Sequence, residues 1–174
     1  RPPRSTLFPY TTLFRSALRY AHQHNVIHRD IKPANIMMDE SGSVKLLDLG
    51  LAISLSLDES RSTTKRQVVG TPYYLAPEQA QGDISKIDER ADIYGFGSTL
   101  YHLLTREVTF RGKNIYETLC LVLNPTLLPR SPKEINANVS EKMSDLVMKC
   151  IAKSPERRFQ NMEQVIGALE KMAN

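Results

Sequence analysis

The sequence has no long apolar run, only two cysteines and no internal repeat. These features argue against a membrane-spanning, a disulfide-bonded and a repeat protein. A membrane-spanning helix needs about 20 consecutive apolar residues, and no stretch approaches that length although 41% of the 174 residues are hydrophobic. Cys120 and Cys150 show no CxxC or Cys/His spacing and lie in helix-like apolar patterns, so we expect reduced core thiols. The chain is therefore predicted to be one globular, cytoplasmic domain without a membrane segment.

The excess of positive charge is concentrated at the N-terminus. The chain has 23 basic and 19 acidic residues, and its net charge of +4 would ordinarily suggest a nucleic-acid or acidic membrane partner. Residues 1–16 contain three of the arginines and no acid, so 20 basic and 19 acidic residues remain without them. We therefore predict no nucleic-acid partner.

Residues 1–16 also differ from the rest of the chain in pattern. They show neither a helical nor a strand period, and they contain Thr-Leu-Phe and Arg-Ser twice each. The string resembles the in-frame translation of a short-read sequencing adapter, and a natural Pro/Thr-rich tail is the alternative. We expect residues 1–16 to be an artefactual or disordered tail and residues 17–174 to be the folded part.

The apolar spacing from residue 17 onward predicts a mainly helical fold. Residues 17–24 show the last turns of an amphipathic helix that stops at Asn25. Short strands are predicted in two small hairpins, at residues 26–27, 36–38 and 44–47. Apolar stripes mark three later helices, with Ile93, Phe96, Leu100 and Leu103 in the first, Met143, Leu146, Val147, Cys150 and Ile151 in the second, and Met162, Val165, Ile166 and Leu169, capped by Asn161, in the third.

Three ordered motifs carry the chemistry, and they are His28-Arg29-Asp30-Ile31-Lys32-Pro33-Ala34-Asn35, Asp48-Leu49-Gly50 and Ala76-Pro77-Glu78. Transfer of a phosphoryl group to a hydroxyl needs an oriented nucleophile and cations that neutralise the phosphates. Asp30 lies in a loop between predicted strands, where a carboxylate can accept a hydroxyl proton, and Lys32 can reach the transferring phosphate. Asn35 and Asp48 offer oxygen ligands suited to a hard divalent cation, and Gly50 lets the chain turn sharply.

Ala76-Pro77-Glu78 ends a longer run, Gly70-Thr71-Pro72-Tyr73-Tyr74-Leu75-Ala76-Pro77-Glu78, and two further motifs follow it in order, Asp92-Ile93-Tyr94-Gly95-Phe96-Gly97 and Arg158-Phe159. Together the motifs resemble the eukaryotic-type serine/threonine protein kinase family, in its bacterial form. The resemblance covers residues 17–174. It implies a partial kinase domain with a mainly α fold: the large C-terminal lobe, with two short β-hairpins at the catalytic loop and without the small lobe.

The resemblance implies which residues act in catalysis. Asp30 would be the base, Lys32 would contact the γ-phosphate of ATP, and Thr71 would bridge these two residues. The pairing of Asp30-Ile31-Lys32-Pro33 with Gly70-Thr71 favours protein substrates that are phosphorylated on serine or threonine rather than on tyrosine.

The resemblance also implies how ATP and Mg²⁺ (or Mn²⁺) would be bound. Asn35 and Asp48 would hold the metal, and Met37 would form the floor under the adenine ring. His28 and Leu49 would belong to a stacked hydrophobic column that ties the two lobes together. Leu49 stands where the family more commonly has Phe, which keeps an apolar side chain there.

Further residues would support or regulate the site. Glu78 and Arg158 would form an ion pair that braces the activation segment, and Asp92 would bond the backbone around His28 and Arg29. The remaining helical histidines are expected to be plain surface or core residues, and they are His22, His24 and His102.

Control by phosphorylation is predicted from Arg29, which directly precedes Asp30 and could bind a phosphate on the activation segment. Thr63 and Thr64 are the candidate autophosphorylation sites because they lie at a family-like distance before Gly70. Autophosphorylation predicts a kinase–kinase dimer as one partner state.

The residues before Ala17 include no glycine-rich phosphate loop, no strand lysine and no helix glutamate to pair with it. We expect the full-length parent, which could be membrane-anchored, to be an active kinase and this chain alone to be inactive. Two alternatives stay open. A pseudokinase scaffold would have no need of intact Asp30, Asn35 and Asp48, and a small-molecule kinase of related fold would not be expected to carry Ala76-Pro77-Glu78.

Overall fold

Helices make up most of the computed structural model, which describes residues 17–38, 44–47, 53–54, 72–82 and 84–173. The helices are α1 (residues 17–23), α2 (Pro77–Gln81), α3 (Glu89–Thr105), α4 (Ile115–Leu123), α5 (Pro132–Ile135), α6 (Glu141–Cys150) and α7 (Met162–Ala173). No helix in these described ranges is long and apolar enough to cross a membrane. The predicted mainly α fold is confirmed, and the predicted tail, residues 1–16, lies outside the described residues.

In the part of the chain that the structure describes, four short strands form two separate antiparallel pairs beside the loop that carries Asp30. They are β1 (Val26–Ile27), β2 (Ile36–Met38), β3 (Val44–Leu46) and β4 (Ile53–Ser54). β2 and β3 form a predicted hairpin, in which Met37 lies opposite Lys45. The other pair is not a hairpin, because β1 pairs with β4, with Val26 opposite Ser54. A two-residue strand has almost no sequence period, so the pattern does not predict β4 or its long-range pairing.

α3 lies at the centre of the core. Every residue from Ala91 to Tyr101 is buried, and its large side chains share one apolar cluster with α6 and α7. A helix that is buried on all sides has no polar face. Its apolar stripe therefore does not show which side of the helix faces the core. Leu103, which the stripe groups with Ile93, is 40% exposed, whereas Leu104 packs against the core and Thr105 is buried.

The core also fixes the position of the loop between β1 and β2. Leu18 of α1, Ile27 of β1 and Ile31 of the loop belong to the same cluster as α3. A Cβ atom added at Gly95 would lie 2.8 Å from Ile31 Cβ, so the loop approaches the α3 backbone at a point where only glycine fits.

Side-chain caps mark the starts of the long helices. Asp88 accepts a hydrogen bond from the Arg90 N–H at 2.9 Å at the start of α3. Asn161 accepts one from the Gln164 N–H at 3.0 Å at the start of α7, which confirms the predicted cap.

The two cysteines have different environments. Both are free thiols, and Cys150 is buried in the core. Burial raises the pKa of Cys150 to about 12, so this thiol stays protonated and unreactive near neutral pH. The prediction of a core position is wrong for Cys120, which is exposed. Its helix, α4, lies at the surface with Thr118 and Val122 as its buried residues, so apolar spacing there does not report burial.

We expect Gly97→Ala to destabilise the fold. The added Cβ would lie 2.5 Å from Cys150 Cβ and 2.9 Å from Ile151 Cγ2, and overpacking of this kind lowers the free energy of unfolding by about 1–3 kcal/mol. Gly167→Ala is the matched control, because a Cβ there meets nothing within 4 Å and alanine favours helix by about 1 kcal/mol. Urea unfolding of both variants measures the difference, and equal midpoints would contradict the packing described for α3 and α6.

Candidate active site

The candidate base Asp30 lies in the loop between β1 and β2, and one oxygen of its carboxylate is held by neighbours. Lys32 Nζ lies 2.6 Å from Asp30 Oδ2, and Asn35 Nδ2 donates to the same oxygen at 2.9 Å. Within the described residues, no donor bonds the second oxygen, Oδ1. The Asp30 side chain is 19% exposed, so an incoming molecule can contact the carboxylate.

Asn35 is positioned by the 3₁₀ turn Pro33–Asn35, in which proline supplies the backbone angle of the first residue. Its amide nitrogen donates to Asp30 O at 2.8 Å and to Asp30 Oδ2 at 2.9 Å. Since both amide hydrogens are directed at Asp30, the carbonyl oxygen Oδ1 is the atom of Asn35 that could bind a cation. A neutral carbonyl oxygen suits a hard cation such as Mg²⁺.

The residue before Asp30 has a strained backbone. Arg29 has a φ of 68°, in the left-handed region, where a non-glycine residue is disfavoured by about 1–3 kcal/mol. Its N–H donates to Asp92 Oδ1 at 2.8 Å, and its carbonyl accepts from Gln79 Nε2 at 2.8 Å. Side chains from α3 and α2 therefore hold the strained residue from both sides.

Asp92 is a buried carboxylate whose oxygens are satisfied by the loop and by α1. Its Oδ2 accepts hydrogen bonds from the His28 N–H and from His22 Nε2, each at 2.8 Å. His22 Nδ1 lies 3.2 Å from Glu89 Oε2. Burial raises the pKa of Glu89, and the nearby His22 opposes that shift. His22, expected to be a plain histidine, thus supports the carboxylate that holds the loop, through a contact between distant helices that no sequence pattern indicates.

His28 joins the loop to the end of β3. The ring is fully buried, its Nε2 lies 3.0 Å from Leu47 O, and its Nδ1 accepts from the Asp30 N–H at 3.3 Å. Because Nδ1 accepts a hydrogen bond, the ring hydrogen is on Nε2, which donates to Leu47 O. His28 therefore fixes both the loop and the peptide that precedes the Asp30 side chain.

The Arg29 side chain is partly buried and has unused donor capacity. Its Nε is buried without a hydrogen-bond partner in the described part of the chain. Burial lowers the pKa of Arg29 from its ordinary value, and the charge of Asp92 opposes this shift. Guanidinium stays charged in proteins, and a buried donor without a partner is unfavourable. An anion bound here would satisfy it.

Glu78 and Arg158 form a buried ion pair that fixes α2. Arg158 Nη1 donates to Glu78 Oε1 at 2.7 Å, and Nη2 donates to Glu78 Oε2 at 2.8 Å. Paired bonds of this geometry are the strongest that arginine makes with a carboxylate. Neither residue contacts Asp30 in the bonds that the structure describes, so the pair fixes the position of α2 and does not touch the candidate base.

Other predicted residues are exposed or fall outside the described ranges. Met37 in β2 is 49% exposed, so its side chain is accessible to a ligand. The predicted site residues outside the described ranges are Asp48, Leu49, Gly50, Thr63, Thr64 and Thr71. Sequence reasoning missed Gln79 and His22, because a single glutamine or histidine on a helix carries no specific signal.

Comparison with known proteins identifies the family. The family model described as a protein kinase domain matches residues 6–168, a range that includes part of the segment predicted to be a tail. A probable serine/threonine-protein kinase of Clostridium acetobutylicum is 35% identical over 97% of this chain. One from Clostridium perfringens is 38% identical over 90% of the chain.

The serine/threonine-protein kinase PknB of Mycobacterium tuberculosis is 35% identical over 91% of the chain. The chain spans only 22–25% of the length of these three relatives. The match of the family model nevertheless extends over most of the 174 residues. The chain belongs to the protein kinase domain family.

Proposed function

We propose that residues 17–174 are the large lobe of a serine/threonine protein kinase, which transfers the γ-phosphoryl group of ATP to hydroxyls of protein substrates. The observation that carries this proposal is the Asp30 carboxylate, bonded by Lys32 and Asn35 through Oδ2 and partly exposed. The three relatives are named as serine/threonine-protein kinases, which supports the same substrate class here.

In the proposed reaction, Asp30 accepts the proton of the substrate hydroxyl while the hydroxyl oxygen forms a bond to the γ-phosphorus. The bond between that phosphorus and the bridging oxygen breaks, and ADP leaves. Lys32, whose ammonium lies beside the Asp30 carboxylate, supplies a positive charge for the transferring phosphate. We assign Thr71 the role of bridging Asp30 and Lys32.

ATP would be bound with Mg²⁺ or Mn²⁺, whose charge offsets that of the phosphates. Asn35 would hold the metal through its carbonyl oxygen, together with Asp48, and the exposed Met37 would lie under the adenine ring. The chain contains no glycine-rich phosphate loop, so the proposed ATP site also needs a small lobe. His28, with Leu49 and Gly50, would support the site from the large lobe.

Regulation would act through Arg29. Its buried Nε has no partner among the described residues, and a phosphate on Thr63 or Thr64 would supply a bidentate one. Phosphorylation of these threonines by a second copy of the kinase requires a kinase–kinase dimer. We propose no nucleic-acid partner, since the basic excess of the sequence lies in residues 1–16.

One experiment tests these assignments together. The full-length parent is incubated with ATP, Mg²⁺ and a mixture of casein and myelin basic protein, and phosphorylated residues are mapped by mass spectrometry. We expect phosphoserine and phosphothreonine but no phosphotyrosine, modification of Thr63 or Thr64, and loss of all labelling when EDTA removes the metal.

The other outcomes of this assay separate the alternatives. Absence of phosphate on any protein, with ATP binding retained, would support the scaffold alternative. Labelling of a small-molecule hydroxyl without labelling of protein would support the small-molecule kinase. An unmodified Thr63 and Thr64 in an active enzyme would overturn the regulatory assignment alone.

A further inference from the structure

Gln79 connects two parts of the molecule that meet at the candidate active site. It is the third residue of α2, and its Oε1 accepts a hydrogen bond from the Ala76 N–H at 3.1 Å. Its Nε2 donates to the carbonyl of Arg29 at 2.8 Å. The acceptor end of the amide therefore caps α2, while the donor end reaches the loop that carries Asp30.

The carbonyl that Gln79 holds belongs to the peptide group directly before Asp30. A peptide is planar, so the Arg29 carbonyl and the Asp30 N–H move as one unit. That N–H donates to His28 Nδ1 at 3.3 Å. Fixing the carbonyl oxygen therefore fixes the direction in which the chain enters Asp30.

The backbone here does not hold its own conformation. Arg29 has a φ of 68°, and such strain persists only where surrounding groups determine the geometry more than once. Asp92 bonds the N–H of Arg29, and Gln79 bonds its carbonyl. Of these two residues, only Gln79 belongs to α2.

The residue before Gln79 is bonded to the core. The preceding residue, Glu78, forms the two-bond ion pair with Arg158 in the core. Because the Gln79 amide is bonded to the Arg29 carbonyl, a displacement of α2 would also displace the peptide before Asp30.

We propose that Gln79 is a positioning residue for Asp30, which links the position of α2 to the geometry of the base. The inference rests on the proposed function, because it takes Asp30 as the base. Gln79 does not touch the reacting atoms; it sets the peptide that orients them. A shift of α2 would move the Gln79 amide and with it the Arg29 carbonyl, so Asp30 would leave its productive position.

Gln79→Glu in the full-length parent separates the two bonds of this side chain. Glutamate keeps an oxygen for the Ala76 N–H but has no hydrogen for the Arg29 carbonyl at neutral pH. We expect kcat to fall by about 10- to 100-fold, since small misplacements of reacting groups have effects of that size. The KM values for ATP and for a peptide substrate should stay within about twofold of wild type, because no binding group is changed.

Two further variants separate the effect of the added charge from the effect of the lost hydrogen bonds. Gln81→Glu places the same charge at an exposed position of the same helix and should leave kcat unchanged. Gln79→Met removes both bonds without adding charge, and its kcat should fall as in Gln79→Glu. If Gln79→Glu is no slower than Gln81→Glu, or if Gln79→Met has the wild-type kcat, the positioning role is wrong.

Hydrogen–deuterium exchange gives a measure that does not need activity. We expect faster exchange in the peptide spanning residues 28–35 of Gln79→Glu than in Gln81→Glu, with equal melting temperatures. Equal exchange in the two variants would overturn the inference. An inactive wild-type parent with the expected exchange difference would instead overturn the proposed function and leave the contact between α2 and the loop supported.

Discussion

The Asp30→Asn variant of the full-length parent should phosphorylate substrate about 10²- to 10⁴-fold more slowly than wild type, the range that a general base contributes. Asparagine has nearly the same shape as aspartate, but its amide cannot take up the hydroxyl proton. Lys32 also loses its anionic partner at 2.6 Å, so the charge nearest the transferring phosphate is less well placed.

The measurement is a single-turnover rate with saturating ATP, which isolates the chemical step from product release. Asp145→Asn is the matched control, because Asp145 is an exposed carboxylate on α6 and far along the chain from the loop. We expect the control to keep the wild-type rate and both variants to melt within a few degrees of wild type. An Asp30→Asn enzyme as fast as the control would contradict the assignment of the base.

The local part of the site could be predicted from sequence because its residues are close in the chain. Asp30, Lys32 and Asn35 lie within six positions, and a short loop with a 3₁₀ turn leaves few ways to arrange them. In the structure Asp30 Oδ2 contacts Lys32 and Asn35 at 2.6–2.9 Å. The resemblance also indicated that Asp92 bonds the loop backbone, and the structure places it within 2.8 Å of two N–H groups.

The long-range part of the site could not be predicted in the same way. Gln79 and Arg29 are 50 positions apart, and His22 and Asp92 are 70 apart. Their contacts depend on how α1, α2 and α3 pack, and neither side chain differs in type from an ordinary surface residue. The same limit applies to the fold. The apolar patterns of α3 and α4 predict that Leu103 and Cys120 lie in the core, but both side chains are exposed.

Replacing Arg158 with methionine should destabilise the fold by about 3–5 kcal/mol, the range for breaking one half of a buried ion pair. The Arg158 side chain is 0% exposed, and its guanidinium makes five hydrogen bonds. Two go to Glu78, and three go to the carbonyls of Ala152, Arg90 and Lys153 at 2.8–3.1 Å. The variant removes these donors from the buried Glu78 carboxylate and from three carbonyls.

A second substitution separates the ion pair from the carbonyl bonds. The double variant Glu78→Met with Arg158→Met removes the unpaired carboxylate, so it should be more stable than Arg158→Met alone. It should not return to wild-type stability, because the three hydrogen bonds from Arg158 to backbone carbonyls are still lost. Arg157→Met is the control, since Arg157 is the exposed neighbour in the turn Pro155–Arg157.

Urea unfolding of wild type, the two single variants and the double variant gives the free energies needed for the comparison. Arg157→Met should differ from wild type by less than about 0.5 kcal/mol, as surface substitutions usually do. Equal stability of Arg158→Met and Arg157→Met would contradict the buried position of Arg158. A double variant less stable than Arg158→Met would show that Glu78 has a second partner, and the bracing of α2 would then not depend on this ion pair alone.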